Sequence, residues 1–295
     1  MRTGFVVVAA CALVVGLTSM AFAFTGETLY VPEVDPTAIV LDGLDTEWSN
    51  PDFYDPAYIL RRDDLNNVTG GELPPIDDWD GVLWTGWSAP PDNMMYGFYR
   101  MSDDILNDES ATNGPAWRDD TLELFTDADA GGGDYNAVPP RGTIAQQWCI
   151  RITMDPLPPG PGGNNENTQW FMWADMDRAW ASGPPWMEAA LIHPTTRENY
   201  TATVEWKLAL WDVLGDDPET SVRHINELGD IIGFAYQMDD SDAEIDTRDD
   251  QPGTPGAGDA WHIADSFNET IFVEGKVPFV AVEPVSWGAI KATFK

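Results

Sequence analysis

The sequence predicts an all-β fold, an antiparallel β-sandwich of jelly-roll or immunoglobulin-like type in a single domain with long loops, and three observations lead there. Apolar residues fall in short runs rich in β-branched and aromatic side chains, each bounded by Gly, Pro, Asn or Asp, as strands between turns require. In the clearest run, 201–208, Ala202, Val204, Trp206 and Leu208 alternate with Thr201, Thr203, Glu205 and Lys207, which sets one face for burial and the other for water. No amphipathic helix of ordinary length interrupts this pattern.

Taken in chain order, residues 1–23 have the layout of a secretory signal: Arg2, an apolar run over 5–17, and Ala21-Phe22-Ala23 as a cleavage site before Phe24. The run is short for a bilayer span, which needs about 20 residues, so cleavage and export are expected rather than an anchor. Lipidation at Cys11 would leave too little apolar chain ahead of it. The remainder, 24–295, reads as one domain with strands at 38–41, 81–88, 95–101, 121–126, 147–154, 169–176, 200–208, 231–238 and 270–273. Single helical turns are expected at 209–214 and 221–228. Pro and Gly make loops of 139–142, 157–167 and 251–258. A final strand is expected over 285–294, because Trp287, Ile290 and Phe294 need burial.

Composition narrows the partners. Fifty Asp plus Glu against fifteen Lys plus Arg give a net charge of -35, which repels phosphate backbones and anionic lipid, so nucleic acid and membrane surfaces are excluded. Such acidity suits a saline setting or divalent cation binding. The 14 Trp, 12 Phe and 8 Tyr are incompatible with a disordered acidic chain. Beyond the signal Cys149 is the only cysteine, so no intramolecular disulfide can form and stability rests on the core. Cys149 itself lies in an apolar strand, where burial makes a thiol inert.

Five spaced motifs carry a resemblance. They are Ile39-Val40-Leu41-Asp42-Gly43-Leu44-Asp45-Thr46-Glu47-Trp48; the strand 95–104 ending in Asp103-Asp104; Trp117-Arg118-Asp119-Asp120-Thr121-Leu122-Glu123-Leu124-Phe125-Thr126-Asp127; 200–211 with its Tyr, Glu and Trp; and 232–240. In this order the chain resembles the family 9 carbohydrate-binding modules, β-sandwiches of secreted bacterial proteins; with motifs spread from Ile39 to Trp261, the resemblance covers most of 24–295. It implies a non-catalytic saccharide-binding module with the sugar held between Trp117 and Trp261.

A pyranose offers weakly polarised C–H faces to an indole, and planar polar side chains grip its vicinal hydroxyls. By motif position those side chains are Glu123, Gln237 and Arg248. The family's arginine on the strand at 147–154 falls here on Cys149, with Arg151 two residues on and facing the same way. Among 14 Trp, either indole could instead serve the core. Glu123 could instead be a solvated outward carboxylate, and Arg248 could simply neutralise its acidic neighbours.

The resemblance also implies structural calcium. Two acidic loops have oxygen donors for it: Asp127, Asp129 and Asp134 around three glycines, and Asp239, Asp240, Asp242, Glu244 and Asp246. For catalysis there is no selective signal. With fifty acids any glycosidase pair can be named, and His193, His224 and His262 lack metalloprotease or nucleophile-elbow spacing. A haem-binding domain of the same fold group is the alternative, with Met101, Met172, Met176 and His262 as axial candidates. A surface protein that keeps the sandwich without a sugar site is another.

Overall fold

The computed structural model describes residues 24–108, 116–137, 141–156, 168–170, 176–242 and 248–276. The expected signal at 1–23, the loop at 157–167, residues 171–175 of one expected strand, Glu244 and Asp246 of the second acidic loop and the final strand at 285–294 lie outside these residues. Among the described residues the chain forms strands and short 3-10 turns, with no α-helix.

In chain order the strands are β1 (Leu29–Pro32), β2 (Leu60–Arg61), β3 (Asn66–Asn67), β4 (Trp79–Trp87) and β5 (Met95–Ile105). There follow β6 (Thr121–Asp127), β7 (Gln146–Arg151), β8 (Thr168–Trp170), β9 (Met187–Ile192) and β10 (Glu198–Leu208). The last are β11 (Trp211–Val213), β12 (Val222–Arg223), β13 (Ile231–Asp239), β14 (Pro252–Gly253) and β15 (Asn268–Val273).

One sheet has the order β1-β15-β13-β6-β7-β8, with β14 joining β13 to β3, and the other has the order β2-β4-β5-β10-β9. Every pairing within them is antiparallel except β1 with β15. The inner faces meet through aromatic pairs: Trp87 of β4 stacks on Phe272 of β15 at 5.0 Å, and Tyr99 of β5 meets Tyr236 of β13 at 5.5 Å. Facing sheets with interdigitated side chains make a β-sandwich, as the alternation predicts. Where Trp206 of β10 crosses its strand partner Gly97, a Cβ on that glycine would come within 2.3 Å of the indole. Glycine there makes room for a large ring rather than for a turn.

Three local expectations are corrected. Residues 38–41 form no strand: the Val40 amide donates to the Glu47 side chain at 2.8 Å, and the Val40 side chain is exposed. Glu205, on the face of β10 expected to meet water, is fully buried under that segment. Its carboxyl accepts from Trp48 Nε1 at 2.9 Å and from the amides of Asp42 and Gly43 at 2.9 and 3.1 Å, so the irregular segment is pinned by a side chain instead of a strand ladder. The turns expected at 209–214 and 221–228 are instead the small ladder of β11 with β12.

Candidate functional site

The outer face of the larger sheet carries the chemistry. Glu123 of β6 lies opposite both Gln237 of β13 and Cys149 of β7. Because side chains alternate along a strand, Leu122, Leu124, Tyr236 and Met238 fill the core while Glu123, Gln147 and Gln237 point the other way. Sheets rarely bury both faces of a strand, yet these three are each only 2% exposed. Loops cover them: the turn Ala116–Arg118 brings Trp117, and the segments around β14 and the turn Ala257–Asp259 bring Arg248, Gln251 and Trp261.

Together these side chains enclose a cleft of about 230 Å³, lined by Trp117, Glu123, Gln147, Gln237, Arg248, Gln251 and Trp261. Trp117 is partly buried, whereas Trp261 is 50% exposed. Half of the Trp261 side chain thus stands open to solvent on a loop at the cleft. The opposite side of Trp261 borders a second hollow with Asp134, Asn136, Arg141 and His262, and the His262 ring lies 3.9 Å from the indole centroid.

The cleft floor is a hydrogen-bonded network. Gln147 Nε2 donates to Glu123 at 2.9 Å, and Gln251 Nε2 donates to Gln237 Oε1 and to Asp239 Oδ1, each at 2.9 Å. Gln237 Nε2 donates to the Ala257 carbonyl, which ties the loop before Trp261 to the sheet. Arg248 donates to Asp239 at 2.8 Å, and its guanidinium lies 5.9 Å from the Trp117 ring centre while that of Arg118 lies 4.8 Å away. Burial holds the Glu123 carboxyl above the usual carboxylate range, opposed by the charge of Arg248 and by hydrogen bonds from Cys149 and Gln147. Two buried polar atoms in this region have no hydrogen-bond partner, Gln147 Oε1 and Trp117 Nε1.

Trp117, Glu123, Gln237, Arg248 and Trp261 thus converge from segments up to 144 residues apart, while Arg151 does not line the cleft. The Arg151 side chain, on the same face of β7 as Gln147, is buried and paired with Asp119 at 3.2 Å. Gln147 and Gln251 were not singled out from the sequence. Gln147 was legible, being two residues from Cys149 on the same face of β7, but Gln251 adjoins a two-residue strand that no periodicity reveals.

The acidic residues are distributed otherwise than as two loops. Asp127 accepts from the amides of Gly131 and Gly132, Asp129 from Gly131, and Asp134 from Asn136 and Ala137, so these carboxylates cap their own turns. Asp239 is taken by Arg248. Asp240 instead joins Asp103 and Asp120, and Asp242 joins Asp78 and Asp104, in triads whose carboxylate oxygens lie within 4.8 Å of one another. Of the haem-ligand candidates, Met101 is buried in the core and His262 stands at the Trp261 rim, Met172 lies outside the described residues, and the Met176 side chain is likewise not described.

No family model matches the chain, and no curated protein matches its sequence. Solved structures do. A carbohydrate-binding module of family 9 from Caldicellulosiruptor kristjanssonii in complex with cellotriose aligns with a TM-score of 0.53 at 16% identity, over 88% of this chain and 98% of that one. A family 9 module from the same organism in complex with glucose aligns with a TM-score of 0.51 at 16% identity, over 84% and 96%. The chain has a family 9-like fold. Within that fold the tryptophan cleft lies on the outer face of the larger sheet, and among the described residues no helix is long and apolar enough to cross a membrane.

Proposed function

We propose that this protein is an exported, non-catalytic carbohydrate-binding module that holds a saccharide between Trp117 and Trp261. The observation that carries the reading is the convergence of two tryptophans with Glu123, Gln237 and Arg248 around one cleft. An indole on each side stacks on a pyranose, while the buried carboxyl and amide groups of the floor and the partly exposed Arg248 guanidinium accept from and donate to its hydroxyls. Gln147 and Gln251 extend that floor, and Arg151, on the same face of β7, holds Asp119 next to the turn that bears Trp117.

Binding is favoured over hydrolysis by the lining itself. Glycoside hydrolysis takes two carboxyl groups flanking the scissile bond, and Glu123 is the one carboxylate among the described lining residues. The structures of similar fold hold cellotriose and glucose, which makes a β-glucan or its end the first ligand to try.

Export with cleavage before Phe24 suits the fold, because a chain starting there begins inside it. The Phe24 ring lies against Gly233, and the Thr25 amide donates to the Asp265 carbonyl at 2.8 Å. Calcium is proposed as a stabilising ion. Titration calorimetry with glucose and cellotriose, in wild type and in Trp117→Ala and Trp261→Ala, tests the reading: binding lost in both variants supports it, and binding undisturbed in both removes it.

A further inference from the structure

Trp261 borders two hollows. One is the cleft, and the other, of about 320 Å³, is lined by Asp134, Asn136, Ala137, Arg141, Trp261 and His262. Among the described residues Trp261 alone belongs to both linings. Pockets for small ligands usually measure about 300–1,000 Å³, and the cleft, at about 230 Å³, falls below that range. A saccharide longer than the cleft therefore continues outside it, and the half-exposed indole is where the second hollow adjoins that path.

The walls of this hollow are fixed by the backbone. The Tyr135 amide donates to the His262 carbonyl at 3.1 Å, the Ala264 amide donates to the Gly133 carbonyl at 2.8 Å, and Asp134 bridges Ile263. The Asn136 side-chain amide donates to the Trp261 carbonyl at 2.9 Å, and Tyr135 Oη donates to the Ala260 carbonyl. The turn that bears Asp134 and Asn136 and the loop that bears Trp261 are thus one tied unit. A wall ordered in advance loses less entropy when a ligand arrives.

Polar groups are left over within these walls. Asn136 Oδ1 and His262 Nδ1 are buried without a hydrogen-bond partner, and a buried polar atom left unmet costs about 1–3 kcal/mol. The Arg141 carbonyl accepts from Arg178 at 2.8 Å, but the Arg141 guanidinium makes no ion pair with a described residue. In a chain with fifty acidic residues against fifteen Lys plus Arg, neutralising a neighbour does not account for an arginine so placed. The formal charges of Asp134 and Arg141 cancel, which suits a neutral hydroxylated ligand better than an anionic one. Carboxylate, amide and guanidinium are planar groups able to grip vicinal hydroxyls, and the indole beside them offers a face or edge to C–H groups.

We infer that the hollow of Asp134, Asn136, Arg141 and His262 is a second saccharide subsite. It takes a further neutral glycosyl unit of a β-glucan whose preceding part occupies the cleft, so that the chain crosses Trp261. This rests on the reading of the cleft as a sugar site, and it adds that affinity grows with chain length beyond the cleft.

The test titrates glucose and cellohexaose calorimetrically into wild type and Arg141→Ala, with a thermal melt of each to show that the variant is folded. Arg141 is exposed, so its truncation leaves the core untouched. The quantity read is the ratio of cellohexaose to glucose affinity, in which glucose reports any damage to the cleft itself. That ratio should be about tenfold or more in wild type and should fall by about fivefold or more in Arg141→Ala, the size of a lost charge-assisted hydrogen bond. A ratio near one in wild type, or the wild-type ratio kept in Arg141→Ala, overturns the inference. If glucose binds and cellohexaose gains nothing over it, the cleft reading stands and the second subsite falls; if neither saccharide binds wild type, both fall.

Discussion

Replacing Trp261 by alanine separates a binding indole from a core one, because the two roles differ in what the substitution costs. Trp261 is 50% exposed, whereas Trp206 is fully buried across Gly97. A buried Trp→Ala costs roughly 3–5 kcal/mol through lost transfer energy and a cavity, and in a domain of this length each kcal/mol lowers Tm by roughly 2–4 °C. Trp206→Ala should therefore melt some ten degrees or more below wild type, or fail to fold. Trp261→Ala keeps the network under it, since Gln237 still holds the Ala257 carbonyl and Asn136 still reaches the Trp261 carbonyl through its side-chain amide. Its Tm should move by only a few degrees. Removing one stacking face should instead weaken saccharide binding by about tenfold or more, the equivalent of about 1.5 kcal/mol. Calorimetric titration and a thermal melt on each variant read the two costs. A large fall in Tm for Trp261→Ala with unchanged saccharide affinity would refute the assignment of this indole to the binding surface.

Other substitutions probe the supports. Glu123→Ala leaves the Gln147 amide without its acceptor and removes a carboxyl from beside the partly exposed Arg248, so saccharide affinity should fall and stability should drop by about 1–3 kcal/mol, read by titration and denaturant melts; a neutral result in both would remove Glu123 from the site. Gly97→Ala places a methyl against the Trp206 ring and should destabilise by about 1–3 kcal/mol, and an unchanged melt would contradict the packing described for that pair. Burial raises the Glu205 carboxyl from 4.5 to about 7, against hydrogen bonds from Trp48, Asp42 and Gly43. The folded state therefore holds the proton more tightly than the unfolded chain. Its stabilising contribution is complete below about pH 4.5 and is lost as pH rises through about 7, by at most about 3 kcal/mol and less where solvent screens the carboxyl. Wild type should lose stability relative to Glu205→Gln across that window in chemical denaturation, and a flat or rising difference would show that Glu205 is not so perturbed.

How far the sequence was legible depended on whether the deciding contacts were local. Long strands such as β4, β5, β10 and β13 announced themselves, because each contains a run of seven or more residues rich in apolar, β-branched and aromatic types, bounded by turn residues. The three residues of β11 carry no period, and they became a strand only through pairing with β12. Residues 38–41 read as a strand from their apolar types, but the Asp42 and Gly43 amides and the Trp48 indole all go to Glu205, more than 150 positions away. The cleft tryptophans, Glu123, Gln237 and Arg248 were reachable through motif order, and Gln147 through the strand period. The acidic residues were grouped by adjacency, whereas the fold groups them by sheet ends: Asp78, Asp103, Asp104, Asp120, Asp240 and Asp242 come from four separate segments, which no linear window can join. Asp127, Asp129 and Asp134, close in sequence with glycines between them, accept hydrogen bonds from amides of their own turns.

The saccharide cleft is tested most directly by the indole Nε1–H resonances of the 14 tryptophans, followed by NMR as cellotriose or glucose is added, with Trp117 and Trp261 assigned through Trp→Phe variants. Saturable shifts at Trp117 and Trp261, with the buried indoles of Trp148 and Trp206 unmoved, are the expected result. Saturable shifts confined to other tryptophans, or none at either cleft residue across a panel of soluble saccharides, would contradict it.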